Sequence, residues 1–218
     1  MGVTMTKTLF PVFLDIYGKK AVVIGGGKVA ERKISDLLGC NAQVVVVSPQ
    51  ATPVIAEWAD RGRISWLPKE FEDGDLQGAC MAFLATDNES VNRHVVDICR
   101  EQGVMVNAVD DPANCDFYVP AVLRRQSLTL AVSTGGKSPL FARRLKEELS
   151  EVITEAYGDF VELLGEQRTI VQNEIADIRD RKKMYEALVY SDILDLLKVG
   201  EKEKARERIK QCMSCLRD

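Results

Sequence analysis

Through its first half the chain alternates short β-rich apolar runs with longer mixed segments. The runs fall at residues 21–24, 43–47, 64–67, 81–85 and 104–108, and helical patterning fills 29–38, 53–61 and 89–102. Residues 44–47 are all valine, the continuous apolar stretch expected of a strand covered on both faces. Strand–helix alternation of this kind predicts a parallel α/β sheet with right-handed crossovers. The rhythm changes near residue 110. Asp111-Pro112-Ala113-Asn114 reads as a turn, and 117–122 and 127–133 read as strands joined through Arg124-Arg125-Gln126, either a hairpin or an extension of the sheet. Beyond Ser138-Pro139 the pattern is helical, with Ser138 suited to an N-cap and Pro139 to the first helical position. Apolar residues from Phe141 to Leu164 follow helical spacing, and so do those from Tyr185 to Leu197. The expected organisation is a nucleotide-binding domain over 1–112, a strand-rich bridge over 113–137 and a helical domain over 138–218.

The first strand runs straight into Gly25-Gly26-Gly27-Lys28-Val29-Ala30, which fits G-x-G-x-x-G/A through Gly25, Gly27 and Ala30. Glycine at the first position permits the tight turn, and at the second it lets the backbone approach a pyrophosphate. A small residue at the third lets the helix pack on the sheet, while the helix N-terminus offers N–H groups to the anion. The glycine pattern alone is weak, but its place after a strand and before a helix makes it specific for a Rossmann-type dinucleotide site. The acid that would hold the adenosine ribose is missing, because the second strand is followed by Ser48-Pro49-Gln50, and Ser48 or backbone groups are the candidates to contact the ribose instead. No arginine stands there to meet a 2′-phosphate, so NAD is favoured over NADP. A second turn, Gly136-Lys137-Ser138, lacks the earlier glycine of a Walker loop, since that position is Ala131. It reads instead as a glycine turn and helix N-terminus for substrate carboxylates.

Asp110 follows the fifth strand at the edge where open α/β sheets bind ligands, and Asp111 suits the turn before Pro112. Arg124, Arg125, Lys137, Arg143, Arg144 and Lys146 are either a solvated face or a reception surface for an anionic substrate. His94 is the only histidine and sits among valines, a poor start for a zinc site. Cys212 and Cys215 form a lone C-x-x-C without a partner pair, and metal ligands are left open.

Composition narrows the field without changing it. The chain has 218 residues, 46% of them hydrophobic, which is enough for one good core and a second small one. A net charge of -4 argues against a nucleic-acid binder, and no apolar run is long enough for a bilayer. Six scattered cysteines and no signal-peptide pattern point to the cytoplasm.

Several segments together resemble the precorrin-2 dehydrogenase/sirohydrochlorin ferrochelatase family, which includes the N-terminal module of sirohaem synthase. They are residues 25–33, Ala85-Thr86-Asp87, Asn107-Ala108-Val109-Asp110, Phe117-Tyr118-Val119-Pro120 and the stretch from Ala131 through Ser133-Thr134-Gly135-Gly136-Lys137-Ser138 to Pro139. The resemblance runs from about residue 10 to 149 and continues more loosely through the helical tail. It implies a homodimer held partly by the bridge strands, and a cleft between the NAD site and the helical domain. It implies NAD-dependent oxidation of a tetrapyrrole, with Asp110 as the essential aspartate. Cofactor contacts fall on Gly25, Gly26, Gly27, Lys28, Val29, Ser48, Pro49 and Thr86. Substrate contacts fall on Thr134, Gly135, Gly136, Lys137, Ser138, Arg124 and Arg143. In some family members the position of Thr134 is a phosphorylatable serine, and some members also insert Fe2+ or Co2+ as a second substrate. An NAD-binding regulatory module without catalysis is the alternative that shares the glycine loop.

Overall fold

The run of valines forms β2 (Gln43–Val47), whose Val44, Val46 and Val47 are buried. β1 (Lys20–Ile24) lies beside it, and β3 (Ser65–Leu67), β4 (Ala79–Leu84) and β5 (Met105–Ala108) complete one parallel sheet. The strand order is β3-β2-β1-β4-β5. The computed structural model describes residues 8–109 and 111–214.

Side chains alternate across β1. Ala21 and Val23 join one core with Ala30, Ile34 and Leu37 of α1 (Lys28–Leu38) and Ile55 of α2 (Pro53–Asp60). Val22 and Ile24 join the opposite core with Val95, Val96 and Cys99 of α3 (Glu89–Gln102). This period of two against a period near 3.6 is what lets one sheet carry helices on both faces. Asn88 caps α3 by accepting from the N–H groups of Ser90 and Val91, and Gly103 ends it in the left-handed region. No helix joins β3 to β4. A single 3-10 turn at Asp73–Leu76 buries Leu76 beneath α3's face of the sheet.

The register fixes the functional edge. Ile24 pairs with Val47 and with Leu84, Val47 with Leu67, and Leu84 with Ala108. Neighbouring strands therefore end level with one another, and their following loops leave from one edge. The chain reverses its direction of growth between β1 and β4, the position where such sheets open a crevice.

The chain divides into two compact units, one reaching Tyr118 and the other starting at Val119. The second begins with the antiparallel pair β6 (Ala121–Arg125) and β7 (Leu128–Val132), a separate hairpin and not an extension of the parallel sheet. The expected strand at 117–122 starts later, and Arg124 and Arg125 belong to it. Only Gln126 and Ser127 make the connection, with Gln126 at φ +51. Among the described residues five helices follow: α4 (Pro139–Val152), α5 (Glu155–Glu174), α6 (Ile178–Val189), α7 (Ile193–Lys198) and α8 (Lys202–Ser214). The apolar stripe from Phe141 to Leu164 is divided between α4 and α5, because the helix breaks at Ile153-Thr154. Phe160, Val171, Met184, Leu188, Ile193, Leu197, Ala205 and Ile209 form the core of the last four helices.

Arg125 ties the hairpin to that break. Its Nε donates to the Ile153 carbonyl at 2.9 Å and Nη2 to the Ser150 carbonyl at 3.3 Å, while Glu155 pairs with it at 3.3 Å. The guanidinium thus satisfies carbonyls that a helix end leaves without partners. Gly158 of α5 packs on the backbone of the same residue, and a Cβ there would lie 2.7 Å from the Arg125 carbonyl. Arg125→Met is expected to cost about 1.5–3 kcal/mol, the range for hydrogen bonds to a charged group. At roughly 2–4 °C per kcal/mol for a chain of this size, a circular-dichroism melt will read a fall of several degrees.

Candidate dinucleotide site

Three loops converge on the level edge of the sheet. Gly25 donates its N–H to the Val47 carbonyl at 3.0 Å, Ala85 donates to Ile24 at 2.8 Å, and Thr52 donates to Gly26 at 2.9 Å. The exits of β1, β2 and β4 are thereby sewn together through backbone alone. Gly25 sits at φ +121, and a Cβ on it would collide with the Ala85 carbonyl. A Cβ on Gly26 would collide with the Gln50 carbonyl and stand 2.9 Å from the Ala51 Cα. Gly27 is different: nothing lies within 4 Å of where its Cβ would be. Gly25 and Gly26 are glycine because protein backbone crowds them. Gly27, the N-cap of α1, faces open space on the side from which a ligand would approach.

No side chain caps α1 at Gly27, so its first-turn N–H groups are available to an anion. Ala30 is fully buried, as the close packing of helix on sheet requires. Lys28 does not reach over this terminus, since its ammonium pairs with Glu31 at 2.9 and 3.0 Å. Glu31 in turn is held below the usual carboxylate range, first by the Thr52 hydroxyl and then by Lys28. Lys28 and Glu31 brace the start of the helix against the loop after β2.

A cleft of about 210 Å³ opens beside the glycine turn. Gly25, Ser48, Pro49 and Thr86 line it together, as do Glu70, Phe71, Asn88 and Val91. Val29 lies on α1 outside this lining. The second group was not expected from the sequence. Its signal is the sheet itself, because in parallel strands of level register every following loop reaches the same edge. The Ser48 hydroxyl donates to the Gln50 carbonyl at 2.7 Å, and the Trp66 indole donates to the Ser48 carbonyl at 3.0 Å. Ser48 is thus fixed by local bonds.

Asp110 lies outside the described residues. Around it, Val109 donates its N–H to Leu84, and the Asp111 carboxylate accepts from the Asn114 side chain at 2.7 Å, which shapes the turn. Asn107, the buried polar residue of β5, donates to the Phe117 carbonyl at 2.8 Å. Burial pushes the Cys99 thiol up to about 11, so it is no nucleophile near neutrality. His94 is engaged with Asp73 at 2.7 Å at the surface. Among the described residues no three His, Cys, Asp or Glu side chains gather into a metal site. Cys212 belongs to α8, and Cys215 is outside the described residues.

In the second unit Thr134, Gly135, Gly136, Lys137 and Ser138 form one ordered turn before α4. Gly135 and Gly136 are at φ +61 and +79. The Thr134 hydroxyl accepts from the Ser138 N–H at 3.0 Å, and the Ser138 hydroxyl caps α4 by accepting from Phe141 at 3.3 Å. Both hydroxyls keep a hydrogen to donate. Lys137 and Arg143 are exposed and unpaired among the described residues, and Arg124 is exposed on the face of β6 opposite Arg125.

The order β3-β2-β1-β4-β5 with a glycine turn at the switch point defines a dinucleotide-binding protein. Three family profiles cover the chain in sequence. One described as "Putative NAD(P)-binding" matches residues 12–121, "Sirohaem biosynthesis protein central" matches 125–151, and "Sirohaem synthase dimerisation region" matches 156–213. The chain belongs to the NAD(P)-binding family of sirohaem biosynthesis. It is 38% identical over 204 residues to a siroheme synthase of Thioalkalivibrio sulfidiphilus, and 36% identical over 198 residues to siroheme synthase 1 of Aeromonas salmonicida. These alignments take in 94% and 90% of the chain, which spans 42% of the length of each relative. Among solved structures, SirC, a precorrin-2 dehydrogenase, superposes with a TM-score of 0.78 at 28% identity, covering 94% of this chain and all of that one.

The two kinds of glycine separate experimentally. Gly27→Ala is expected to leave the melting temperature within about 1 °C while weakening dinucleotide binding about tenfold or more, since only the ligand needs that space. Gly26→Ala must push the Gln50 carbonyl away, an overpacking cost of about 1–3 kcal/mol that appears as a lower melting temperature even without ligand. Calorimetric titration beside a thermal melt reads both.

Proposed function

We propose that this chain is an NAD-dependent dehydrogenase that oxidises precorrin-2 to sirohydrochlorin, on the route to sirohaem. The observation that carries the reading is a dinucleotide cradle on the level sheet edge, in a chain 94% of which matches a precorrin-2 dehydrogenase structure. The reaction removes two electrons and two hydrogens from the macrocycle: precorrin-2 and NAD+ give sirohydrochlorin, NADH and a proton. NAD supplies a hydride acceptor when bound.

The protein's own groups divide the remaining work. Gly27 and the N-terminus of α1 receive the pyrophosphate, which fixes the cofactor along the sheet edge. Asp110, two positions along the sequence from the end of β5, takes the proton that leaves the macrocycle as the hydride departs. Thr134 and Ser138 donate hydroxyl hydrogens to substrate carboxylates. Lys137, Arg143 and Arg124 add positive charge to the same task, with the arginines able to grip a carboxylate through two parallel N–H groups. The functional form is a homodimer, supported by the match of residues 156–213 to a dimerisation region. Its place is the cytoplasm, where the scattered cysteines stay reduced. The organisation we adopt is a cofactor domain over 1–112, a strand-rich dimerisation segment over 113–137 and a helical domain over 138–218 that contains the residues matching the dimerisation region.

The test is an absorbance assay of purified protein with precorrin-2, with and without NAD. Sirohydrochlorin appearing only with NAD is expected. Asp110→Ala should lower turnover by about 100-fold or more, the usual contribution of a positioned base, with NAD affinity unchanged. Binding of NAD without any oxidation would favour a regulatory module. Fe2+ or Co2+ added after oxidation tests whether the chain also inserts metal, read against the protein-free rate.

A further inference from the structure

The acid expected after the second strand is absent, yet a carboxylate does stand at the cleft. Glu70 lines it together with Ser48 and Pro49, but it arrives from the loop after β3, one strand further out. The loop that carries it is fastened on both sides. Lys69 on one side pairs with Glu72 at 2.9 Å and Asp75 at 3.0 Å, which raises the lysine above its ordinary range. Phe71 on the other side lines the cleft and meets the His94 ring edge-on at 6.3 Å. Glu72 and Asp75 close a reciprocal cap on the 3-10 turn that follows. Between these anchored neighbours Glu70 is exposed, and among the described residues nothing pairs with its carboxylate. The Ser48 hydroxyl gives its hydrogen to the Gln50 carbonyl, so it offers a ribose only a neutral acceptor, weaker than a carboxylate.

We infer that Glu70 is the residue that accepts from the adenosine ribose hydroxyls and sets the preference for NAD over NADP. The inference rests on the dinucleotide reading of the glycine turn, and it names the group that reading lacked. A carboxylate accepts hydrogen bonds from a ribose diol, while a 2′-phosphate in the same place meets like charge. The level ends of β2 and β3 explain why the substitution works: Val47 pairs with Leu67, so the loops after both strands begin side by side. A glutamate three residues past β3 reaches what an acid directly after β2 would reach in the usual arrangement.

The experiment is calorimetric titration of the full chain with NAD and with NADP, for wild type and Glu70→Gln, each accompanied by a thermal melt. Wild type should bind NAD more tightly than NADP. Glu70→Gln should melt with wild type, lose about tenfold in NAD affinity, and hold or gain affinity for NADP, as expected when one charge-assisted hydrogen bond and one repulsion are removed together. An NAD to NADP affinity ratio unchanged in Glu70→Gln, or an equal loss for both, overturns this inference alone. A wild-type chain that binds neither dinucleotide overturns the reading of the glycine turn as well.

Discussion

The close approach of three backbones at the sheet edge is the constraint on which the N-terminal unit depends. Gly25 against Ala85 and Gly26 against Gln50 leave no room for a single Cβ, and the N–H groups of Gly25, Thr52 and Ala85 bond across the same gaps. Packing of side chains could not hold loops this near, because any side chain would stand in the way. The consequence is a floor made of peptide groups, with its one uncrowded glycine, Gly27, at the start of α1. Helix direction, anion-binding N–H groups and access for a pyrophosphate all follow from that floor.

Electrostatics around the floor are arranged so that few charges face inward. Lys28 is neutralised by Glu31, and Lys69 by Glu72 and Asp75. These surface pairs add little to stability, since exposed ion pairs are worth about 0–1 kcal/mol. Their effect is positional. They hold Lys28 and the loop after β3 in place, and neither lysine is among the residues that line the cleft.

The fold was legible because its signals are local. The valine run, the capping residue Ser138 and the glycine turn each reported their own element. The errors arose where a choice was made by tertiary contact. Arg124 and Arg125 read as a polar connection, yet in β6 they face opposite ways, and Arg125 is drawn into the strand by the carbonyls at the end of α4. Helical spacing from Phe141 to Leu164 continues through Ile153-Thr154, so periodicity could not announce the break. Thr154 is the residue that begins α5 there. The cleft was half legible. Ser48, Pro49 and Thr86 follow strands that the glycine motif points to, whereas Glu70 and Phe71 follow a strand of three residues with no motif at all. Only the pairing of Val47 with Leu67 reveals that they share the edge.

A mildly acidic chain can still receive a polycarboxylate, because net charge acts at long range and binding is decided at contact. With a screening length of about 8 Å at physiological salt, the excess acid elsewhere is largely invisible to a ligand at one turn. Under the proposed function, what it would meet at Thr134–Ser138 is local: two hydroxyl donors held in position by backbone N–H groups, and the unpaired cations of Lys137 and Arg143. The neighbouring Arg144 is already paired with Glu148 at 2.8 Å, so counting basic residues on α4 overstates its charge. The glycines carry the arrangement, since Gly135 and Gly136 in the left-handed region are what fold the turn back so that Thr134 can accept from Ser138. The proposed anion recognition thus rests on which charges are left unpaired and on how rigidly the turn presents its donors.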